Sequence, residues 1–164
     1  MVAVVVAAVL LAVAVPSFKS ITISNKLNTG VNDLVGSLNT ARMEAIKANA
    51  NAQFCSNAAS SNGSTDPGPM CSTQTVGAVV LVTGTALTVV RAGSPIPAPL
   101  IISGSATAIR FSGDGIGHAV GNTDPYTGTV ADICTSSTST DNHRIINMTS
   151  GTILETSTSS GACQ

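Results

Sequence analysis

The sequence predicts an α+β fold: a long N-terminal helix packed on an antiparallel β-sheet domain. Three observations carry this reading. Residues 1–15 contain no polar side chain. From Leu27 the apolar positions recur at Leu27, Val31, Leu34, Leu38, Ala41, Ala45 and Ala48, in alternating steps of four and three, which puts them on one face of a helix. After Phe54 the pattern breaks into short β-branched runs separated by Gly, Pro and Asn, as strands joined by turns require.

The opening run, Met1 to Val15, makes about 22 Å of helix, short of the roughly 30 Å hydrocarbon core of a bilayer. It can be read as a signal-peptide core, with Ala12-Val13-Ala14 as the small-x-small site, as a buried core helix, or as a transmembrane segment whose first residues lie upstream. No basic residue precedes it, which weighs against the signal peptide. Pro16 is expected to kink rather than end a helix that continues on both sides. Residues 1 to about 50 thus read as one bent helix roughly 75 Å long, apolar all round in its first third and amphipathic beyond. Val35 and Ile46 widen the apolar stripe, and Asn28, Asn32, Asn39, Lys47 and Asn51 lie opposite. Leu34, Leu38, Ala41, Ala45 and Ile46 are expected to face the sheet, where small Ala residues allow close approach. Leu27 is expected at the exposed linker end.

Residues 56–75, with Asn62-Gly63 and Asp66-Pro67-Gly68-Pro69, read as a loop. Val76–Val82 and Thr85–Arg91 flank Thr83-Gly84 as a hairpin. The prolines at 95, 97 and 99 make 92–99 an irregular crossover. Leu100–Ser103 and Ala106–Phe111 are further strands, and the glycine-rich 112–121 segment is a loop. Val130–Cys134, Arg144–Met148 and Thr152–Glu155 complete the set, with Ser150-Gly151 turning the last pair. Thr135–Thr140 is a polar low-complexity loop.

The chain has 164 residues with only 9% charged, against about a quarter in an ordinary soluble domain. Its net charge is −1, which disfavours electrostatic binding of nucleic acid or of an anionic membrane by the molecule as a whole. Up to residue 50, Lys19, Lys26, Arg42 and Lys47 outnumber Asp33 and Glu44. Beyond it, Arg91, Arg110 and Arg144 face Asp66, Asp114, Asp124, Asp132, Asp141 and Glu155. The four cysteines, Cys55, Cys71, Cys134 and Cys163, all lie in this second part. An even count in a small Gly/Ser/Thr-rich domain points to disulfides and an oxidising compartment. Four cysteines allow three connectivities. Cys55–Cys71 and Cys134–Cys163 are expected, the first closing the Pro/Gly-rich loop and the second tying the C-terminal tail to the sheet.

Chemistry is sparse. Gly113-Asp-Gly-Ile-Gly117 lacks the Gly-x-Gly-x-x-Gly spacing and a following helix. Asp114, Asp124 and Asp132 could offer loop oxygens to Ca²⁺, but no Asp-x-Asp-x-Asp-Gly loop holds them. His118 and His143 read as solvated loop histidines without zinc-ligand spacing. There is no Gly-x-Ser-x-Gly elbow. No catalytic residue, metal ligand or cofactor is assigned, and a structural or interaction protein is expected.

The hydrophobic helix running into Val15-Pro16-Ser17-Phe18, then Leu38-Asn-Thr-Ala41-Arg42-Met-Glu44-Ala45-Ile46-Lys47, then Cys55, resembles the GspH/FimT family of type IV pilins and pseudopilins. Ile109-Arg-Phe111 followed by Gly115, and Arg144-Ile-Ile146 followed by Gly151, resemble that family's final strands. The resemblance implies a type IV pilin-like fold. Residues 1–22 would be a transmembrane and filament-core helix half and residues 23–164 the globular domain, with the amphipathic helix half running to about residue 54 and the β-domain spanning 76–164. Val4, Val5, Leu10, Leu11, Val13, Pro16 and Phe18 would contact membrane lipid, then the helices of other pilin or pseudopilin subunits. The other implied partner is the inner-membrane assembly platform.

The implied place is the inner membrane of a Gram-negative bacterium, with a periplasmic β-domain, and after assembly a pilus or pseudopilus. A minor pilin of a type IV pilus is the leading expectation and an H-type minor pseudopilin of a type II secretion system the alternative. A DNA-binding competence pilin is disfavoured, because the place of that group's Gly-Arg-x-Arg motif reads Gly151-Thr-Ile-Leu154. Family precursors carry a prepilin-peptidase site and a Glu just inside it. Aligned on Pro16, Met1 falls after that cut, so a short basic leader, the cleavage site and the Glu are expected upstream, lengthening the apolar run to about 20 residues.

Overall fold

A computed structural model describes the backbone of residues 2–164 and the side chains from residue 18 onward. Helix α1 spans Val2–Ala48, roughly 70 Å at 1.5 Å per residue. It stops short of the expected boundary near residue 54. Asn49 takes a left-handed φ of 46°, the Asn49 amide donates to the Ile46 carbonyl and the Ala50 amide to the Ala45 carbonyl. This paired C-terminal cap puts a residue in the left-handed conformation, usually Gly and sometimes Asn. The cap turns the chain straight into strand β1 (Asn51–Phe54), so β-structure begins well before residue 76. Asn51, read as the polar face of a helix, is a strand residue.

Residues 56–75 are more ordered than a loop. A 3₁₀ turn at Ala59–Asn62 and a one-turn helix α2 (Gly68–Cys71) lie against the outside of β1, joined to its end by the Cys55–Cys71 disulfide. Strands β2 (Val79–Thr83) and β3 (Ala86–Arg91) form the hairpin. Then come β4 (Ile101–Ile102), β5 (Ile109–Phe111), β6 (Gly117–Ala119), β7 (Gly128–Cys134), β8 (His143–Thr149) and β9 (Ile153–Ser159). Strand β6 falls inside the expected 112–121 loop.

Two antiparallel sheets result, one ordered β3-β2-β1-β5-β6 and the other β4-β7-β8-β9. The chain passes between them at 103–109: Ser103 and Thr107 amides donate to the Asp132 and Val130 carbonyls beside β7, and Ile109 then joins β1. A second junction ties the sheets where the Gly117 amide donates to the Gly151 carbonyl at 2.8 Å. Gly151 has φ +67°, and an added Cβ would lie 2.5 Å from the Gly117 oxygen, so this turn accepts only glycine.

Helix α1 lies across both sheets and shares one core with them. Leu27, Val31, Leu34, Leu38, Ala41 and Ala45 meet Ala52, Phe54, Val79, Ile109 and Phe111 of the first sheet and Val130, Ile133, Ile146 and Met148 of the second. The period-two alternation holds: Ala52 and Phe54 point inward while Gln53 points to the outer face, and Ile109 and Phe111 point inward while Arg110 points out. The approach is close enough that Gly77, at φ +80°, leaves only 2.9 Å between a built Cβ and Leu34 Cδ2.

Candidate assembly surface

Among the described side chains, buried hydrophobic positions on α1 begin at Ile23 and recur at Leu27, Val31, Leu34, Leu38, Ala41 and Ala45. Ahead of Ile23 the described side chains, residues 18–22, are all exposed. Phe18 is 74% exposed and Ile21 56% exposed, so two large apolar side chains face outward with no cover from the chain's own domain. Val4, Val5, Leu10, Leu11, Val13 and Pro16 lie outside the described side chains. Leu34, Leu38, Ala41 and Ala45 are fully buried against the sheets.

Two expectations fail. Leu27 is 1% exposed rather than at an open linker end, because the second sheet extends the core one turn further toward the N-terminus than a single sheet would. Ile46 is 49% exposed. It is one residue past the stripe position Ala45, so it points sideways and only its tip covers Gly115, where a Cβ would come within 2.7 Å of Ile46 Cδ1.

The exit of the helix is braced by polar contacts. Arg144 Nε donates to Asn28 Oδ1 at 2.8 Å and Nη2 to Ser24 Oγ at 3.2 Å, while Nη1 donates to the Asp141 carbonyl at 2.8 Å and the His143 carbonyl at 3.0 Å. One guanidinium therefore bolts α1 to the start of β8. Further along, Arg91 Nη2 meets Asp33 Oδ1 at 2.6 Å. Between these braces, on the other flank of the helix, a groove of about 490 Å³ runs between α1 and the proline crossover, bordered by Thr22, Lys26, Gly30, Ile96 and Pro97. Nothing in the sequence assigns Arg91 or Arg144 a role in holding the helix. Their partners on the helix lie 58 to 120 residues away, and only the β-strand register brings them there.

The two histidines are not solvated loop residues. His143 heads β8, is 6% exposed, and its Nδ1 lies 2.8 Å from Asp132 Oδ2 on the neighbouring strand. It is enclosed because the C-terminal tail folds over it, tied by Cys134–Cys163 and by Asn142, whose Nδ2 donates to the Gly161 carbonyl at 2.9 Å. His118 lies on β6 with its Nδ1 enclosed. Among the described residues no cluster of three His, Cys, Asp or Glu side chains is placed to hold a metal. Asp114 caps its own turn, accepting from Ser112 Oγ and from the Ile116 amide, and these bonds hold its carboxyl below the ordinary range.

A comparison with protein-family models matches the model described as type II transport protein GspH to residues 30–151. That stretch runs from the buried part of α1 through all but the last strand. The chain belongs to the GspH family. Its long helix on antiparallel sheets is the type IV pilin-like fold, and members of the GspH family are structural, pilin-like components rather than enzymes. No curated protein and no solved structure matches the chain. Members of the family interact with other pilin or pseudopilin subunits, and among the described residues the apolar side chains of Phe18 and Ile21 are open to such contacts.

Proposed function

We propose that this chain is a minor pilin of a type IV pilus, anchored in the inner membrane of a Gram-negative bacterium before assembly and then incorporated in the filament or priming it. The exposure of Phe18 and Ile21, just ahead of the buried Ile23, carries the reading. Burying one such side chain against a neighbouring helix is worth roughly 1.5–3 kcal/mol, and a helix that keeps its apolar residues uncovered gains that only in an assembly or a membrane. Among the described residues no helix is long and apolar enough to cross a membrane. The membrane step therefore rests on the apolar sequence of residues 1–15 and on the family likeness. In this reading Val4, Val5, Leu10, Leu11, Val13, Pro16 and Phe18 contact lipid first and subunit helices afterwards.

The family's character as a type II transport protein favours a second reading, an H-type minor pseudopilin of a type II secretion system. Deleting the gene in its native host separates the two. Loss of surface pili with secretion intact supports the pilus. Loss of protein secretion with pili intact moves the subunit to the secretion system. A host that keeps both functions refutes the assembly role.

A further inference from the structure

The two sheets end in strands β3, β6, β4 and β9, and three of these edges are blunted. Strand β4 has two residues and β6 three, and β6 is bridged from His118 to Pro125. Strand β3 has six, but its register with β2 shifts at Val79/Val80, an irregularity that disfavours straight pairing at an edge. Strand β9 has none of these defences. Its seven residues run in unbroken register with β8, from Thr149↔Ile153 to His143↔Ser159, and include no Pro, Lys or Arg. Among the described residues nothing pairs with its other side. The tail does not cover it either. The Gly161 carbonyl accepts from Asn142 Nδ2, Gly161 lies against the His143 ring, and Cys163 is bonded to Cys134 on β7, so the chain turns back across β8.

The side of β9 toward the helix is open as well. Leu154, Thr156 and Thr158 stand opposite Met148, Ile146 and Arg144, so they share the face that carries the core and the helix brace. Helix α1 covers β8 but stops short of β9: Ile146 and Met148 are buried, while Thr156 and Thr158 are exposed. A trough of about 230 Å³ is left there, with Asn28, Val31 and Asn32 of α1 along one wall and Thr156 and Thr158 along the other. Arg144 borders it, but its Nε, Nη1 and Nη2 are already bonded to Asn28, to the Asp141 and His143 carbonyls, and to Ser24. No carboxylate lines the trough. On the opposite face of β9, Glu155 is exposed, and among the described residues no cation lies within 4.0 Å of it.

We propose that the β9 edge docks an extended segment of a partner protein, which adds antiparallel to β9 and extends the four-stranded sheet. The free N–H and C=O groups of an edge recur at every second residue, and another extended backbone matches that spacing. The partner's side chains opposite Leu154, Thr156 and Thr158 enter the trough. Small uncharged groups suit it, because Asn28, Asn32 and the two threonines can bond a hydroxyl or amide, whereas a charge would be covered without a counter-ion. The alternate side chains lie beside Glu155, which calls for Lys or Arg. A second copy of β9 is the poorer occupant: paired antiparallel about Thr156, it would set Ser157 rather than a cation opposite Glu155. The site is the same whichever filament the subunit serves.

The test is an NMR titration of the full chain in a nonionic detergent with acetyl-Lys-Thr-Thr-Thr-Lys-Val-Thr-amide, whose second Lys falls opposite Glu155. Two control peptides carry Glu in place of that Lys, or a methyl on every backbone nitrogen. Saturable shifts and slowed amide exchange in β9 and the trough, weaker binding of the Glu peptide and none of the methylated one support the site. Thr156→Lys and Thr158→Lys each set a charge on the trough wall, the device by which natural sheets block edge pairing. Each should weaken binding about tenfold or more, with the spectrum of the rest of the domain unchanged. Thr88→Lys, on the β3 edge, should leave binding as it was. Overturning results are no saturable shift, equal binding of the methylated peptide, shifts on β3 in place of β9, or binding undiminished in both trough variants. A dimer in sedimentation that Thr156→Lys dissolves would put a second copy on the edge and overturn the proposal too.

Discussion

Truncating Leu38 to Ala would measure how much of the fold rests on the helix. Leu38 is fully buried, at the middle of the α1 stripe, in the core shared with Phe54, Val79, Ile109 and Phe111. Its rigid surroundings cannot collapse into the space, since the backbone above is a helix and the backbone below a hydrogen-bonded sheet. Large-to-small core changes of this kind cost about 2–5 kcal/mol. At roughly 2–4 °C per kcal/mol for a domain of this size, a cost near the middle of that range lowers Tm by about 7–14 °C. The neighbouring Asn39 is exposed, and Asn39→Ala should change stability by under about 0.5 kcal/mol. Leu38→Asp goes further, placing a carboxylate where nothing can pair with it, and should abolish the cooperative transition. The assay is thermal unfolding of the full chain in detergent, followed by circular dichroism. Equal and small shifts for Leu38→Ala and Asn39→Ala would refute the packing of α1 on the sheets.

Replacing Cys134 and Cys163 together by Ser opens a closure of 29 residues; the chain-entropy model puts the loss at about 3.6 kcal/mol, and non-reducing peptide mapping of the parent chain should recover only the 55–71 and 134–163 links. Arg144→Ala removes the bolt to Ser24 and Asn28 and should speed amide hydrogen exchange across residues 23–30, with a stability loss of about 1–3 kcal/mol by equilibrium unfolding; unchanged exchange there would contradict the brace. The carboxyl of Asp114 sits below its ordinary range in the folded chain, so its contribution is present above the ordinary carboxylate range and is lost as pH falls through the depressed folded value. An NMR pH titration should show Asp114 titrating at lower pH than in the Ser112→Ala variant. In a gel shift at physiological salt the chain should not retard duplex DNA at low micromolar concentration, because Arg91 is paired to Asp33, Arg110 bound to Gln53 and Arg144 tied into the helix brace; retardation in that range would mean that other basic groups form a patch.

Much of α1 was readable because helical burial follows a local period. Leu34, Leu38, Ala41 and Ala45 fall on one stripe by spacing alone, and the hairpin around Thr83-Gly84 follows from the β-branched runs that flank it. The boundary after Ala48 was not readable. The Asn49 cap uses backbone bonds that leave no periodic trace, and Asn51–Phe54 is too short to break the helical pattern. The failure at Ile46 has the same root, since a residue beside the stripe is buried or exposed according to what the neighbouring loop supplies, here a single glycine at 115.

From the sequence by itself came the α+β class, the apolar opening run, the amphipathic stripe, the paucity of catalytic and metal-binding groups, and the likeness to pilins. These depend on composition and on periods of two to four residues, which are properties of neighbours along the chain. The tertiary structure decided which residues meet across 57 to 120 positions: Arg91 on Asp33, Arg144 on Ser24 and Asn28, and Arg110 beside Gln53. It also decided that there are two sheets rather than one, and that the tail encloses His143. Such contacts are set by strand order and register, which many sequences of the same pattern could satisfy differently, so only the folded chain fixes them.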